Sequence, residues 1–451
     1  LVLARVGKPK TRAENWRLAQ ASWKKRLLEQ PAQLPKMGEI TKSQLMEWLS
    51  GKTYSAGYKK MLSELWDKLD LGMASCRTKF FVKVEMMLGK KATKHIARGI
   101  SGKTDEYLLE TVPEFVMWLD EVYRLGCFHD GRYIYTSGWT GVRIGAFVSR
   151  MEREGWKPCK GDFEKYDAHQ ETEQMTVEIE DYEEYFPKRV ADSFAKQLIT
   201  SGHTFGGITF KVVGKRCSGV GNTSFGNTTG TFKVHTRCCD VIKIEIWIIV
   251  ALGDDSMLFH QELYFDVGAY CKVAKDMGHI LDLEECTYDT LEYCSAVFVP
   301  VNSYTRLMCT KPARMLAKTF VPTKQFQGDK ELALRKHVKG VAECLYKQYY
   351  WVPIVRVILK QLLAMEVEGT PYKDSNPYKF NVGDISEIDL DEESIAGYFS
   401  ARYGFDVLSF ETTLAEVDFT IMGRAYDCSE FTAMCLADGV YSSEEEMTRC
   451  V

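Results

Sequence analysis

Gly253-Asp254-Asp255 closes a seven-residue apolar run, Ile246-Trp-Ile-Ile-Val-Ala-Leu252, and Ser-Met-Leu-Phe259 follows it. The pattern predicts a strand, a tight acidic turn and a second strand. Two adjacent carboxylates on a buried hairpin are costly to keep unless a cation neutralises them. The simplest reason for them is a divalent-metal site on a rigid turn. A second acidic cluster, Asp162-Phe-Glu-Lys-Tyr-Asp167, stands upstream, with Asp162 92 residues before Asp254.

Two such clusters suit two-metal phosphoryl transfer. In-line attack of a 3′ hydroxyl on an α-phosphate uses two divalent cations roughly 3.5–4 Å apart. Magnesium takes hard oxygen ligands, so carboxylates from separate strands must converge. Asp162 and Asp254 are the candidates, with Asp255 assisting. Taken alone, an Asp-Asp turn is ordinary hairpin chemistry, and it gains weight from its apolar strand and its companions. Between the clusters lies Cys217-Ser-Gly-Val-Gly-Asn-Thr-Ser-Phe-Gly-Asn-Thr-Thr-Gly230. Its Ser218-Gly219 opening allows close backbone approach to a ligand. Thr223 and Asn227, four apart, share one helix face, and a hydroxyl with an amide can read a ribose 2′-hydroxyl. The rival reading is a plain Gly/Ser/Thr-rich loop.

At 451 residues, 45% hydrophobic and 27% charged, the composition is that of a soluble globular protein of more than one domain. No apolar run reaches the roughly 18 residues that span a bilayer. The chain opens Leu1-Val2-Leu3-Ala4-Arg5, without a signal peptide or initiator Met, and so reads as a fragment or processed product. The fourteen cysteines are irregularly spaced, which fits free thiols in a reducing compartment. Cys238-Cys239 with His235 lacks a second pair at zinc-ligand spacing. Net charge is −4 but graded: residues 1–100 hold 21 Lys and Arg against 8 Asp and Glu, residues 381–451 hold 3 against 16. A basic end points to a polyanion partner, or else to a solvated helical face.

Periodicity predicts helices at Ala13–Leu28 (Trp16, Leu18, Trp23 and Leu27 inward), Gly38–Leu49, Lys59–Leu69 and Glu106–Leu125. A strand is expected at Lys79–Met87 and a basic loop at Leu88–Gly102. Farther on come a strand end at Gly161–Asp167, one helix over Glu171–Ser201 and a hairpin at Thr204–Lys215. Then follow a helix at Gly219–Cys239, the acidic hairpin over Lys243–Phe259, a helix at Asp266–Met277, and a hairpin of Tyr293–Pro300 with Tyr304–Met308. From about Pro312 the chain reads as helix-rich, with a loop at Gly369–Asp384 and an acidic end.

Asp162-x4-Asp167, Ser218-Gly219-x3-Thr223-x3-Asn227 and Gly253-Asp254-Asp255, in that order, resemble motifs A, B and C of viral RNA-dependent RNA polymerases. Tyr166-Asp-Ala-His169 is similar to the version found in nodavirus-like and tombusvirus-like replicases of positive-strand RNA viruses. More loosely, Lys83-Val-Glu85 with Lys90-Lys91, Lys94 and Arg98 resembles the basic motif F. Tyr54–Lys60 resembles motif G, Glu292–Phe298 motif E, and Tyr270–Gly278 the position of motif D, with Lys272 or Lys275 as its lysine.

The resemblance implies an α+β right-hand polymerase: fingers at 1–155, an antiparallel palm at 156–310 (170–215 partly returning to the fingers) and a helical thumb with an acidic end at 311–451. It implies that Asp162, Asp254 and Asp255 bind Mg²⁺ or Mn²⁺. Asp167, Ser218, Gly219, Thr223 and Asn227 would meet the nucleotide and its ribose. Lys83, Lys91, Lys94 and Arg98 would meet triphosphate or template. Expected partners are single-stranded RNA template, nascent RNA, NTPs and other replicase domains or host factors. The expected place is host cytoplasm, in membrane-associated replication complexes whose anchor lies outside this stretch. Two rivals remain. A reverse transcriptase would usually place a bulky aromatic at position 167 and lack the Asn227 partner. A non-catalytic RNA-binding scaffold has no need of all three carboxylates.

Overall fold

A computed structural model gives the fold and describes residues 11–83, 88, 99–322, 326, 328–372, 381–421, 428–441 and 443. The chain is mixed α+β, divided into two compact units. The first draws its described residues from 11–83, 99–137 and 157–286, and the second chiefly from 138–156 and 287–441.

The first unit is built on a five-stranded sheet in the order Tyr133–Tyr135, Trp247–Leu252, Asp255–His260, Lys157–Phe163, Leu281–Glu285. All its pairings are antiparallel except that of Tyr133–Tyr135 with Trp247–Leu252. The acidic hairpin thus forms where the apolar run predicts it. The two flanking strands, Tyr133–Tyr135 and Leu281–Glu285, were not anticipated.

Helix Thr223–Ile242 lies against this sheet and packs on helices Arg12–Leu27 and Thr172–Tyr185. Nearly every residue of its middle is buried. Gly230 makes close packing possible, because a Cβ there would lie 2.5 Å from Tyr166 Oη and 2.6 Å from Gln174 Nε2. Arg12–Leu27 starts at a capping box in which Thr11 and Glu14 satisfy each other's backbone N–H. Its buried face holds Trp16, Ala19, Gln20, Trp23 and Leu27, whereas Leu18 is exposed. Gln20 goes inward because Nε2 donates to Val177 O (3.1 Å) and Asp181 Oδ1 (3.2 Å).

Other boundaries shift for local reasons. The expected Glu171–Ser201 helix is two helices, Thr172–Tyr185 and Lys188–Ala195, plus a 3₁₀ turn, Lys196–Leu198. Pro187 caps the second helix and, lacking an N–H, cannot continue the first. The next hairpin starts earlier, pairing Ile199–Thr204 with Thr209–Val213, and joins Thr78–Val82 and Gly99–Lys103 in a four-stranded sheet. Gly99–Lys103 is therefore a strand where a loop was expected. The helix after Ser218-Gly219 begins at Thr223, and the one after Gly38 begins at Lys42, where Thr41 and Gln44 make a capping box.

The second unit has its own core. A three-stranded sheet, Glu292–Tyr293, Ala296–Pro300 and Arg306–Thr310, packs with helix Gly141–Arg153, which sequence reading missed. Gly145 allows that contact, since a Cβ there would collide with Arg306 O. Helices Pro312–Thr319, Lys330–Tyr349, Val355–Ala364, Glu392–Tyr403, Val407–Ala415 and Ser429–Ala437 complete the described part of the unit. Among the described residues no helix is long and apolar enough to cross a membrane.

Candidate active site

Leu252 pairs directly with Asp255, so only Gly253 and Asp254 make the turn. Gly253 has φ 68°, which a two-residue hairpin with glycine first requires. Helix Thr223–Ile242 then clamps it. Gly253 N donates to Thr228 Oγ1 (2.8 Å), and Thr231 Oγ1 donates to Gly253 O (2.9 Å). Thr228 donates its own proton to Ser224 O (2.8 Å), so every group in the clamp has a compatible role.

Register decides where the first acidic cluster falls. Gly161 pairs with Ser256, and Asp162 and Asp255 are the next positions on those strands. Residues 162, 254 and 255 therefore lie at the same end of the sheet. A Cβ at Gly161 would lie 2.7 Å from Ser256 Oγ, so that hydroxyl would have to shift to admit a side chain. Asp162 also pairs with Asp282 on the outer strand, a carboxylate that sequence reasoning missed. Like charges directly opposite each other repel across a ladder. Among the described residues no group of three or more His, Cys, Asp or Glu is already arranged as a metal cage.

On the same sheet, where the helix lies against it, the side chains are closely packed and buried. His235 is fully buried, with Nδ1 hydrogen-bonded to Tyr270 Oη (2.7 Å) and Nε2 to Ser256 Oγ (3.0 Å). Burial pushes its pKa down to about 3, so the ring is neutral. Cys238 and Cys239 are buried too, and burial raises both thiols, Cys239 to about 12. They are core thiols.

Asp167 lies in the first turn of the short helix Tyr166–His169 and meets Asn227, whose Nδ2 donates to Asp167 Oδ1 (2.7 Å). These two residues, 60 apart in sequence, form one polar pair beside the carboxylate end. Thr223 Oγ1 donates to Cys217 O (3.1 Å) and closes the Ser-Gly loop. Ser218 Oγ donates to Gly99 O (2.9 Å) and Ser101 N to Ser218 O (2.9 Å), docking that loop on strand Gly99–Lys103. Gly219 has φ 99°, a conformation that disfavours a side chain.

Of the basic residues, Lys83 follows strand Thr78–Val82. Lys90, Lys91, Lys94 and Arg98 lie outside the described residues. Lys272 and Lys275 are both exposed on helix Val267–Asp276 and line one shallow hollow. Within the second unit, Glu292–Tyr293 and Ala296–Pro300 form a hairpin whose turn residues, Cys294 and Ser295, have φ 52° and 64°.

A family model described as "Viral RNA dependent RNA polymerase" matches residues 135–390, more than half of the chain. The chain belongs to that family. It is an RNA-directed RNA polymerase, a nucleotidyltransferase of viral RNA synthesis that uses an RNA template and NTPs. No curated protein matches it. The matched stretch of the polymerase contains Asp162, Asp167, the Ser218–Asn227 segment and the Gly253–Asp255 turn, and Lys83 precedes it.

Proposed function

We propose that the carboxylate end of the five-stranded sheet carries out template-directed nucleotidyl transfer from ribonucleoside triphosphates. Asp162 and Asp254, assisted by Asp255, would hold Mg²⁺ or Mn²⁺. The donors suit such ions: hard oxygens on neighbouring strands, one of them on a turn pinned through both backbone groups of Gly253. Paired cations, when bound, lower the pKa of an attacking 3′ hydroxyl and neutralise the leaving pyrophosphate.

The remaining roles belong to the protein. Asp167 and Asn227, with Thr223, sort ribose from deoxyribose. The Ser218-Gly219 loop adjusts as the product advances. Lys83, Lys91, Lys94 and Arg98 bind triphosphate or template, and Lys272 or Lys275 supplies a proton to pyrophosphate. In this reading the five-stranded sheet is the palm, within residues 156–310, and residues 1–155 with part of 170–215 make the fingers. The helices of 311–451 make the thumb. Template and nascent RNA bind mainly through charge, so binding weakens with salt. The setting is host cytoplasm, in replication complexes with other replicase domains or host factors.

The observation that carries this reading is the register that sets Asp162 next to Asp255. Its test is RNA synthesis by purified protein with Mg²⁺, an RNA template and NTPs. Product should form, Asp254→Ala should abolish it, and 2′-deoxy-NTPs should be poor substrates. Synthesis unaffected by Asp254→Ala removes the site. Preference for dNTPs favours a reverse transcriptase, and no product with wild type favours an RNA-binding scaffold.

A further inference from the structure

Asn227 is buried, and its carboxamide has one orientation open to it. Arg216 Nε donates to Asn227 Oδ1 (3.2 Å), and so does Gln170 Nε2 (2.6 Å). A guanidinium carries donors only, so the atom facing it must be the carbonyl oxygen. Nδ2 is thereby left to donate to Asp167. Were the amide reversed, its oxygen would face a carboxylate, and the pair would part.

Arg216 cannot follow a moving partner, because it is held from behind. Its Nη1 donates to Glu178 Oε1 (3.0 Å) and its Nη2 to Glu178 Oε2. Glu178 also accepts from Tyr182 Oη (2.7 Å) and Asn222 Nδ2 (3.2 Å). Arg216 is 6% exposed and Glu178 5%. Burial by itself lowers the Arg216 pKa, but the Glu178 carboxylate outweighs it and holds it above the ordinary value. The pair also explains the glycine beside Asn227: a Cβ at Gly226 would collide with Glu178 Oε1 and lie 2.8 Å from Arg216 Nη2. Gln170 is fully buried, and its Oε1 has no hydrogen-bond partner among the described residues. Turning that amide would set Oε1 against Asn227 Oδ1, so one acceptor goes unpaired while the donor stays on Asn227.

We infer that Arg216 and Gln170 are positioning residues for sugar selection, which hold the Asn227 amide so that Asp167 keeps one carboxylate oxygen engaged and the other open to a 2′-hydroxyl. The inference rests on Asp167 and Asn227 being the ribose readers. Neither Arg216 nor Gln170 need touch the nucleotide. Loosening the lock costs the ribonucleotide its advantage and takes little from a deoxyribonucleotide, which has no 2′-hydroxyl to present.

The experiment compares kcat/KM for one NTP and its 2′-deoxy analogue on the same RNA template. Arg216→Lys keeps a cation for Glu178 but loses the fork that reaches Asn227. Gln170→Leu keeps bulk without a donor, and it decides the matter if Arg216→Lys does not fold. Each should lower the ribo-to-deoxy ratio about five- to tenfold, the value of one hydrogen bond, through the ribonucleotide value. Asn227→Ala should lower it at least as far, and adding either substitution to Asn227→Ala should change it no further. If Asn227→Ala lowers the ratio but Arg216→Lys and Gln170→Leu do not, the lock is refuted while the ribose reading stands. If Asn227→Ala leaves the ratio unchanged, the ribose reading falls and the lock with it.

Discussion

The clamp on Gly253 makes a quantitative prediction. Thr228 and Thr231 are fully buried, and their hydroxyls satisfy the N–H and C=O of the residue that turns the chain into Asp254. Valine keeps the β-branched shape of threonine, so Thr→Val removes the hydroxyl with little change in packing. Each substitution leaves one buried backbone group unpaired, at a cost of about 1–3 kcal/mol. A chain of two compact units has no single unfolding free energy, so the local measure is hydrogen exchange across 252–256. A loss of about 1.4 kcal/mol raises local opening tenfold. Exchange should therefore rise about tenfold in Thr231→Val and about a hundredfold in the double variant. Catalysis should fall by up to about a hundredfold, since a displacement near 1 Å is enough for that. Thr229→Val is the control, because its hydroxyl donates within its own helix, to Gly226 O (3.2 Å). If the double variant stays within twofold of wild type in both exchange and kcat, the turn is held by something else.

Further outcomes follow from the same packing. His235 and His279 are both held neutral with pKa near 3, chiefly by burial. Their folded values lie below the unfolded one, near 6.5, so the unfolded chain takes up protons first. Their contribution is complete above pH 6.5 and lost as pH falls towards 3, about 1.4 kcal/mol each between pH 7.5 and 5.5. His279→Gln should reduce the pH dependence of the urea midpoint for the first unit, which contains His279, and an unchanged pH dependence would contradict the assignment. Gly226→Ala should destabilise by about 1–3 kcal/mol through overpacking against Glu178 and Arg216, read as a lower melting temperature. Gly161→Ala should do the same and also depress kcat in protein that remains folded, since its Cβ displaces the Ser256 hydroxyl on the strand beside the one that carries Asp162. Normal turnover in folded Gly161→Ala would separate that register from catalysis.

Parts of the site were legible because their signals are local. The apolar run before Gly253, the glycine needed for a two-residue turn and the cap at Thr11 each depend on residues within a few positions. Helix ends were misplaced where one residue overrode the period, as at Pro187. Strands Tyr133–Tyr135 and Leu281–Glu285 escaped notice because they are short and earn their place by pairing with distant chain. Asp282 went unseen for the same reason, although it sits opposite Asp162. Arg216, Gln170 and Glu178 gave no signal, since an isolated Arg, Gln or Glu reads as surface until its partners are known.

The amino-acid order alone determined the acidic hairpin, the Ser-Gly entry to a helix and the succession of motifs that marks the family, because turn geometry and residue chemistry act over short range. Only the tertiary structure decided that Asp162 comes alongside Asp255 and that a buried guanidinium orients Asn227 towards Asp167. Strand register and the pairing of buried polar groups are set by contacts across tens of residues, and these exist only once the chain has packed.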